Sequence, residues 1–197
     1  RRVLFRSAAL VPDERVVLRR GVAAHVTPNP DPAAALPHVE PLLRLADGAH
    51  LAQLPDHRDL LLLRALAHRL PPGLDHARVA ASAARLAAWL GQIEVGRGLV
   101  TVTTQLRSSE LAILTWAEGD VLFAAGEVED ALRRWDDAAG LFRRARDPRS
   151  EAHVFRRSAD RLAARGLNTL ADGWYRQARQ LYRTLEDGVG VAATLRG

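Results

Sequence analysis

An all-helical solenoid is the fold class this sequence predicts, and three observations predict it. The first is a pattern that recurs after forty residues: Gly126 with Gly166, Asp120 with Asp160, Leu122 with Leu162, Ala131 with Ala171, Ala138 with Ala178 and Asp147 with Asp187. Trp135 is matched by Tyr175 and Phe142 by Tyr182, while Ala112, Ala152 and Ala192 carry the register into a third copy. A fixed period of this length marks stacked units, none of which buries its apolar face alone. The second observation is composition. Alanine, leucine and arginine dominate, and all 28 basic residues are arginine; these are among the better helix formers. The third is apolar spacing such as Leu60, Leu63, Leu66, Ala67 and Leu70, which follows one helical face.

The elements follow in order. Arg1–Ser7 matches no repeat and resembles the translation of a sequencing adapter, so residues 1–7 are set apart from the fold. Pro12-Asp13-Glu14 opens a helix to about Val26, with acids where the helix dipole favours them. Thr27–Pro32 (TPNPDP) breaks any helix, because each proline removes a donor and restricts its predecessor. Residues 8–32 therefore read as a helix plus a proline-rich linker. A short helix is expected over Leu36–Ala46 and a stronger one over Asp56–Leu70, ended by Pro71-Pro72-Gly73. Asp75–Leu90 is an alanine-rich helix with Asp75 as its cap and Gly91 as its end. Gln92–Leu106 reads as helix against the opposition of Gly96 and Gly98, since a lone strand among helical hairpins has no partner. Residues 33–106 thus form divergent hairpins. In residues 107–197, Ser108 or Ser109 caps a helix to about Ala125. Glu127–Ala145, Ser150–Arg165, Leu167–Leu185 and a helix from Gly190 onward follow, giving two clear repeats and the start of a third.

The two clear copies resemble tetratricopeptide repeats. Gly119 takes the tight helix–helix contact, Leu122 the core and Gly126 the turn, and Ala131, Trp135 and Ala138 line one face of the second helix. The next copy reads Ala159, Leu162, Gly166, Ala171, Tyr175 and Ala178. The period of forty exceeds the commoner one of about thirty-four, and the closing proline is absent. Longer repeats of this kind are similar to those in bacterial multidomain signalling regulators. The resemblance implies a right-handed α-α superhelix without a catalytic centre, a sensor or adaptor arm that takes a peptide or protein partner in its concave groove. Carried over by position, the groove residues are Ile113, Trp116, Asp120 and Phe123 from one repeat, and His153, Arg156, Asp160 and Ala163 from the next. Trp116 and Phe123 would grip an apolar side chain and Arg156 a carboxylate; the competing expectation is that the two aromatics pack in the core.

Charge offers a different partner class. Residues 108–140 hold eight acids and two arginines, whereas residues 141–166 hold eight arginines and three acids. Nucleic-acid binding through the arginine-rich block 143–165 is the alternative reading; pairing of the two blocks with each other is the expectation set against it. The formal charge of +5 includes Arg1, Arg2 and Arg6, and setting those aside weakens the nucleic-acid reading. There is no cysteine, which removes disulfides, cysteine zinc sites and thiol nucleophiles and fits a cytoplasmic protein. No apolar run approaches the roughly 18 residues of a membrane span. The histidines are scattered, without the i, i+4 ligand spacing, and Gly96-Arg97-Gly98 lacks the lysine of a phosphate-cradling loop. No cofactor, metal or catalytic residue is expected. The helix begun at Gly190 would lack its partner, and that exposed end invites self-association.

Overall fold

The computed structural model describes residues 32–37, 39, 40, 43, 57–101 and 106–195. All elements among them are helical. The expected helix at Pro12–Val26, the segment Arg1–Ser7 and most of the proline-rich linker lie outside the described residues. The chain divides into two compact units, Arg1–Thr101 and Val102–Gly197.

In the first unit a 3-10 turn, Pro32–Ala35, leads into helical residues at 36, 37, 39, 40 and 43, with Val39 and Leu43 buried. Helix α1, His57–Arg69, buries Leu60, Leu63, Leu66 and Ala67. The spacing that predicted it is thus the spacing of its core face. Pro71 and Pro72 end it, and α2, Leu74–Trp89, follows. Small side chains let α2 be enclosed on nearly every side: Ala77 and every residue from 79 to 88 are buried, as expected for a helix apolar all round. Its cap position is Gly73, not Asp75; Asp75 sits in the first turn and pairs with Arg78 at 3.8 Å. Gly91, with φ of 77°, turns the chain into α3, Ile93–Val100. That helix is shorter than the Gln92–Leu106 expected, and Thr101 is already extended.

The second unit contains α4 (Ser108–Ala125), α5 (Val128–Arg144), α6 (Pro148–Ala164), α7 (Asn168–Thr184) and α8 (Gly188–Ala193). The first residues of α4, α6 and α8 are forty apart, and so are those of α5 and α7. Each helix packs on the next, most extensively α4 on α5 and α6 on α7. The turns explain the regularity. Gly126 (φ 91°) and Gly166 (φ 75°) adopt the left-handed conformation that favours glycine. At the first of them Gly126 N donates to Phe123 O, and Glu127 N to Leu122 O. At α6 the Asp147 carboxylate accepts from Ser150 N at 3.0 Å and Pro148 holds the first helical position; at α8 Asp187 accepts from Gly190 N at 2.9 Å. The α4 start differs from expectation. Ser108 is already helical, and the carboxylate of Glu110 accepts from the N–H of Arg107 at 2.9 Å. The glutamate half of the capping signal is used and the serine half is not.

Between helices the small residues recur at the contacts: Ala131 and Ala138 are fully buried, as are Ala171 and Ala178 to within 1 %. Replacing Ala131 or Ala171 by leucine is expected to cost about 1–3 kcal/mol by overpacking. Chemical denaturation of each variant checks this, and unchanged midpoints for both would sink the assigned register.

Candidate functional site

The candidate site lies where α4 and α6 meet, because side chains of the two helices reach each other there. Helical spacing puts Ile113, Trp116, Asp120 and Phe123 along one face of α4. Trp116 meets His153 of α6 edge-on, ring centroids 5.6 Å apart. Asp120 is a junction: one carboxylate oxygen accepts from Trp135 Nε1 and the other from an Arg161 guanidinium N–H, each at 3.0 Å. The pairing of acid and aromatic recurs one repeat on, with the arginine supplied from a different position. Asp160 accepts from the Tyr175 hydroxyl at 2.8 Å and from Arg156 at 3.0 Å, with Arg157 3.7 Å away. Each aspartate therefore ties an aromatic of its own hairpin to an arginine of α6.

Burial separates the expected groove residues into two groups. Trp116, Asp120 and Phe123 are only 8 %, 6 % and 6 % exposed. Phe123 is covered by Trp135, at 5.2 Å between ring centroids, and by the Arg165 guanidinium 4.5 Å above its ring. Neither aromatic offers a free face to a partner, so both are corrected from anchors to packing residues. Asp120 is likewise committed to the protein's own donors. Ile113, His153, Arg156 and Asp160 keep partial exposure. Arg156 is turned toward Asp160. Its reach to an external carboxylate therefore competes with that internal contact.

The arginine block is internalised only in part: Arg157 is buried and Arg156 and Arg161 are half-buried, while Arg143 and Arg165 are exposed. Arg143 donates to Glu151, Arg161 to Asp120, and Arg156 and Arg157 lie against Asp160. Arg144, Arg146 and Arg149 are exposed. Arg157 is the most enclosed, with its Nε buried and lacking an acceptor. Burial, then Arg161 and Arg156, push its guanidinium down to about 10, while Asp160 and Asp120 oppose the shift. It stays charged at neutral pH. Arg157, Arg161 and the aromatic donors Trp135 and Tyr175 were not among the expected site residues. The signal for them is the forty-residue match of Asp120 with Asp160 and of Trp135 with Tyr175, read jointly: in both copies a donor ring follows the acid by fifteen residues.

Both tyrosines resist ionisation. Burial first, then the hydrogen bond to Asp160 and its charge, push Tyr175 up to about 12. Burial raises Tyr182 too, against the opposing effect of Arg156. The folded state thus holds the phenolic protons more tightly than the unfolded chain, whose value is near 10. The resulting stability is present below pH 10 and is lost as pH rises toward 12. Because the chain has only these 2 tyrosines, phenolate absorbance of the folded chain should rise at higher pH than that of an ordinary tyrosine. An ordinary titration centred on pH 10 in a chain still helical by circular dichroism would contradict the Tyr175–Asp160 contact.

No helix among the described residues is long and apolar enough to cross a membrane. Among those residues no three histidine, aspartate or glutamate side chains cluster as a metal site requires. No protein-family model and no curated protein matches this chain.

Proposed function

We propose that the chain is a protein-interaction scaffold, a tetratricopeptide-like sensor or adaptor arm of a larger bacterial regulatory protein. Its hairpins stack as a right-handed superhelix, and a peptide or protein partner lies along the first helices of successive repeats. One observation carries the reading: the helix starts recur at forty residues through five consecutive helices, with small residues at each tight contact. Repeats of this sort present an extended surface, and recognition is what such surfaces offer. The partner-facing set is Ile113, His153, Arg156 and Asp160, the groove positions that retain exposure. Trp116 and Phe123 support it from beneath. The pairing of Arg156, Arg157 and Arg161 with carboxylates removes those three from the nucleic-acid alternative, since a guanidinium held by a carboxylate is less available to phosphate; that alternative would rest on the exposed Arg143, Arg144, Arg146, Arg149 and Arg165.

Selection of a random peptide library on the chain tests the reading. Recovered peptides should share a sequence, and His153→Ala or Arg156→Ala should weaken their binding about tenfold, near 1.4 kcal/mol. Failure to enrich any peptide, together with generic DNA binding that falls steeply with salt, would transfer the assignment to nucleic acid.

A further inference from the structure

Arg144, Arg146 and Arg149 stand exposed around the turn from α5 to α6. Arg143, beside them, staples that turn by donating to Glu151 at 2.9 Å. Among the described residues no ion pair engages the other three. The nearest acids in sequence are already used: Glu151 by Arg143, and Asp147 by the N–H of Ser150. The repeat supplies an internal control for what such a turn needs. Arg146 and Glu186 take φ of 57° and 55° in the turns after α5 and α7. Their N–H groups donate at 3.1 Å to Arg143 O and Arg183 O, and those of Asp147 and Asp187 at 3.0 and 2.9 Å to Phe142 O and Tyr182 O. Both aspartates then cap the following helix alike.

The two turns share a backbone but not a charge. The counterparts of Arg144, Arg146 and Arg149 are Thr184, Glu186 and Val189. The same conformation is thus built without any of the three arginines, and an exposed charge adds little to stability by itself. Residues 141–150 carry four arginines and one acid, residues 181–190 one arginine and two acids. The excess at the first turn is unspent by the fold and open to a partner. Its extent decides the class of partner. Over residues 106–195 arginines and acids number 14 each, so the surplus of three positive charges at this turn is matched by a surplus of acid in the rest of the unit. A long polyanion needs a continuous basic stripe and would meet repulsion beyond the turn. A short run of carboxylates meets the turn alone, and guanidinium forks suit carboxylates.

We propose that the α5–α6 turn docks a short acidic segment of a partner protein, whose carboxylates are shared among Arg144, Arg146 and Arg149. This contact goes beyond the groove reading and uses none of Ile113, His153, Arg156 and Asp160. It adjoins the groove, since Arg149 precedes His153 by one turn of α6.

The probe is a fluorescein-labelled hexaglutamate peptide, with hexaglutamine as control, read by fluorescence anisotropy on the full chain. At low salt hexaglutamate should bind at least about tenfold more tightly than the control, and salt should erode the difference. The decisive variant imports the other turn: Arg144→Thr, Arg146→Glu and Arg149→Val together. It should abolish the preference while circular dichroism and the thermal midpoint stay as they were. Arg165→Gln, Arg176→Glu and Arg183→Gln together remove the same charge elsewhere and should leave the preference intact. Equal binding of the two peptides, or a preference that survives the imported turn, overturns the proposal. Equal losses in both variants would reveal a general field in place of a site, and a lowered midpoint in the first would make its arginines structural; each also overturns it. So does a hexathymidylate strand that binds more tightly than hexaglutamate at the same salt, which gives the turn to nucleic acid. Loss of hexaglutamate binding on Arg156→Ala would place the peptide in the groove and overturn it likewise.

Discussion

Replacing Trp135 by alanine is expected to lower the stability of the second unit by about 3–5 kcal/mol. The ring is fully buried and touches Phe123 and Trp174, and its N–H is spent on Asp120. Truncation would open a cavity at the centre of the repeat and leave a buried carboxylate oxygen without its donor. The neighbouring backbone explains why so large a ring fits. A Cβ on Gly119 would stand 2.4 Å from Trp135 Cδ1 and 3.2 Å from the Ala131 carbonyl. The second repeat solves the same contact with the other pair of residues, Ala159 against the smaller Tyr175. A double-mutant cycle tests that equivalence. Gly119→Ala and Trp135→Tyr should each destabilise alone, the first by a clash and the second by a void. Together they should recover part of the loss, with a coupling of about 0.5–3 kcal/mol. Equilibrium denaturation of the four proteins measures it. Strict additivity would mean that Gly119 and Trp135 do not share one packing solution.

Legibility followed from what each signal encodes. The period encodes element placement, because equivalent residues terminate equivalent helices; Gly126 and Gly166, and Asp147 and Asp187, recur as turn and cap in both copies. Arg146 and Glu186 were less transparent: they take positive φ (57° and 55°) with side chains that ordinarily avoid it, and only their shared position in the repeat singles them out. The start of α4 misled because Ser108 and Glu110 both satisfy a capping pattern, and the backbone placed the cap one residue earlier. The site was less legible than the fold. Helical register says which face Trp116 and Phe123 occupy, but not that His153, Trp135 and Arg165 come to lie against them. Those contacts join residues from different helices, and a residue's own helix says nothing of them. Charge segregation was half-informative: it anticipated pairing of the acidic and basic blocks, and Arg161 with Asp120 is that pairing, forty-one residues apart.

The two aspartates should respond unequally to removal, although their repeat positions are identical. The Asp120 side chain is 4 % exposed and its arginine partner 23 %; for Asp160 and Arg156 the values are 24 % and 20 %. Asp120→Ala strands the Trp135 N–H in the core, and Arg161 loses its carboxylate where water reaches only part of the guanidinium. A loss of about 2–4 kcal/mol is expected, below the full cost of breaking a wholly buried pair because Arg161 is partly hydrated. Asp160 is itself partly exposed, so in Asp160→Ala water can enter the place of the lost carboxylate and serve the Tyr175 hydroxyl and Arg156, and the cost falls to about 1–2 kcal/mol. The isosteric Asp120→Asn separates the contributions: its amide oxygen still accepts from Trp135 while the charge facing Arg161 is gone. Its destabilisation should fall between zero and that of Asp120→Ala. Thermal and urea denaturation of the three variants rank them, and an Asp160→Ala loss equal to or greater than that of Asp120→Ala would show that burial does not set the energetics of these paired junctions.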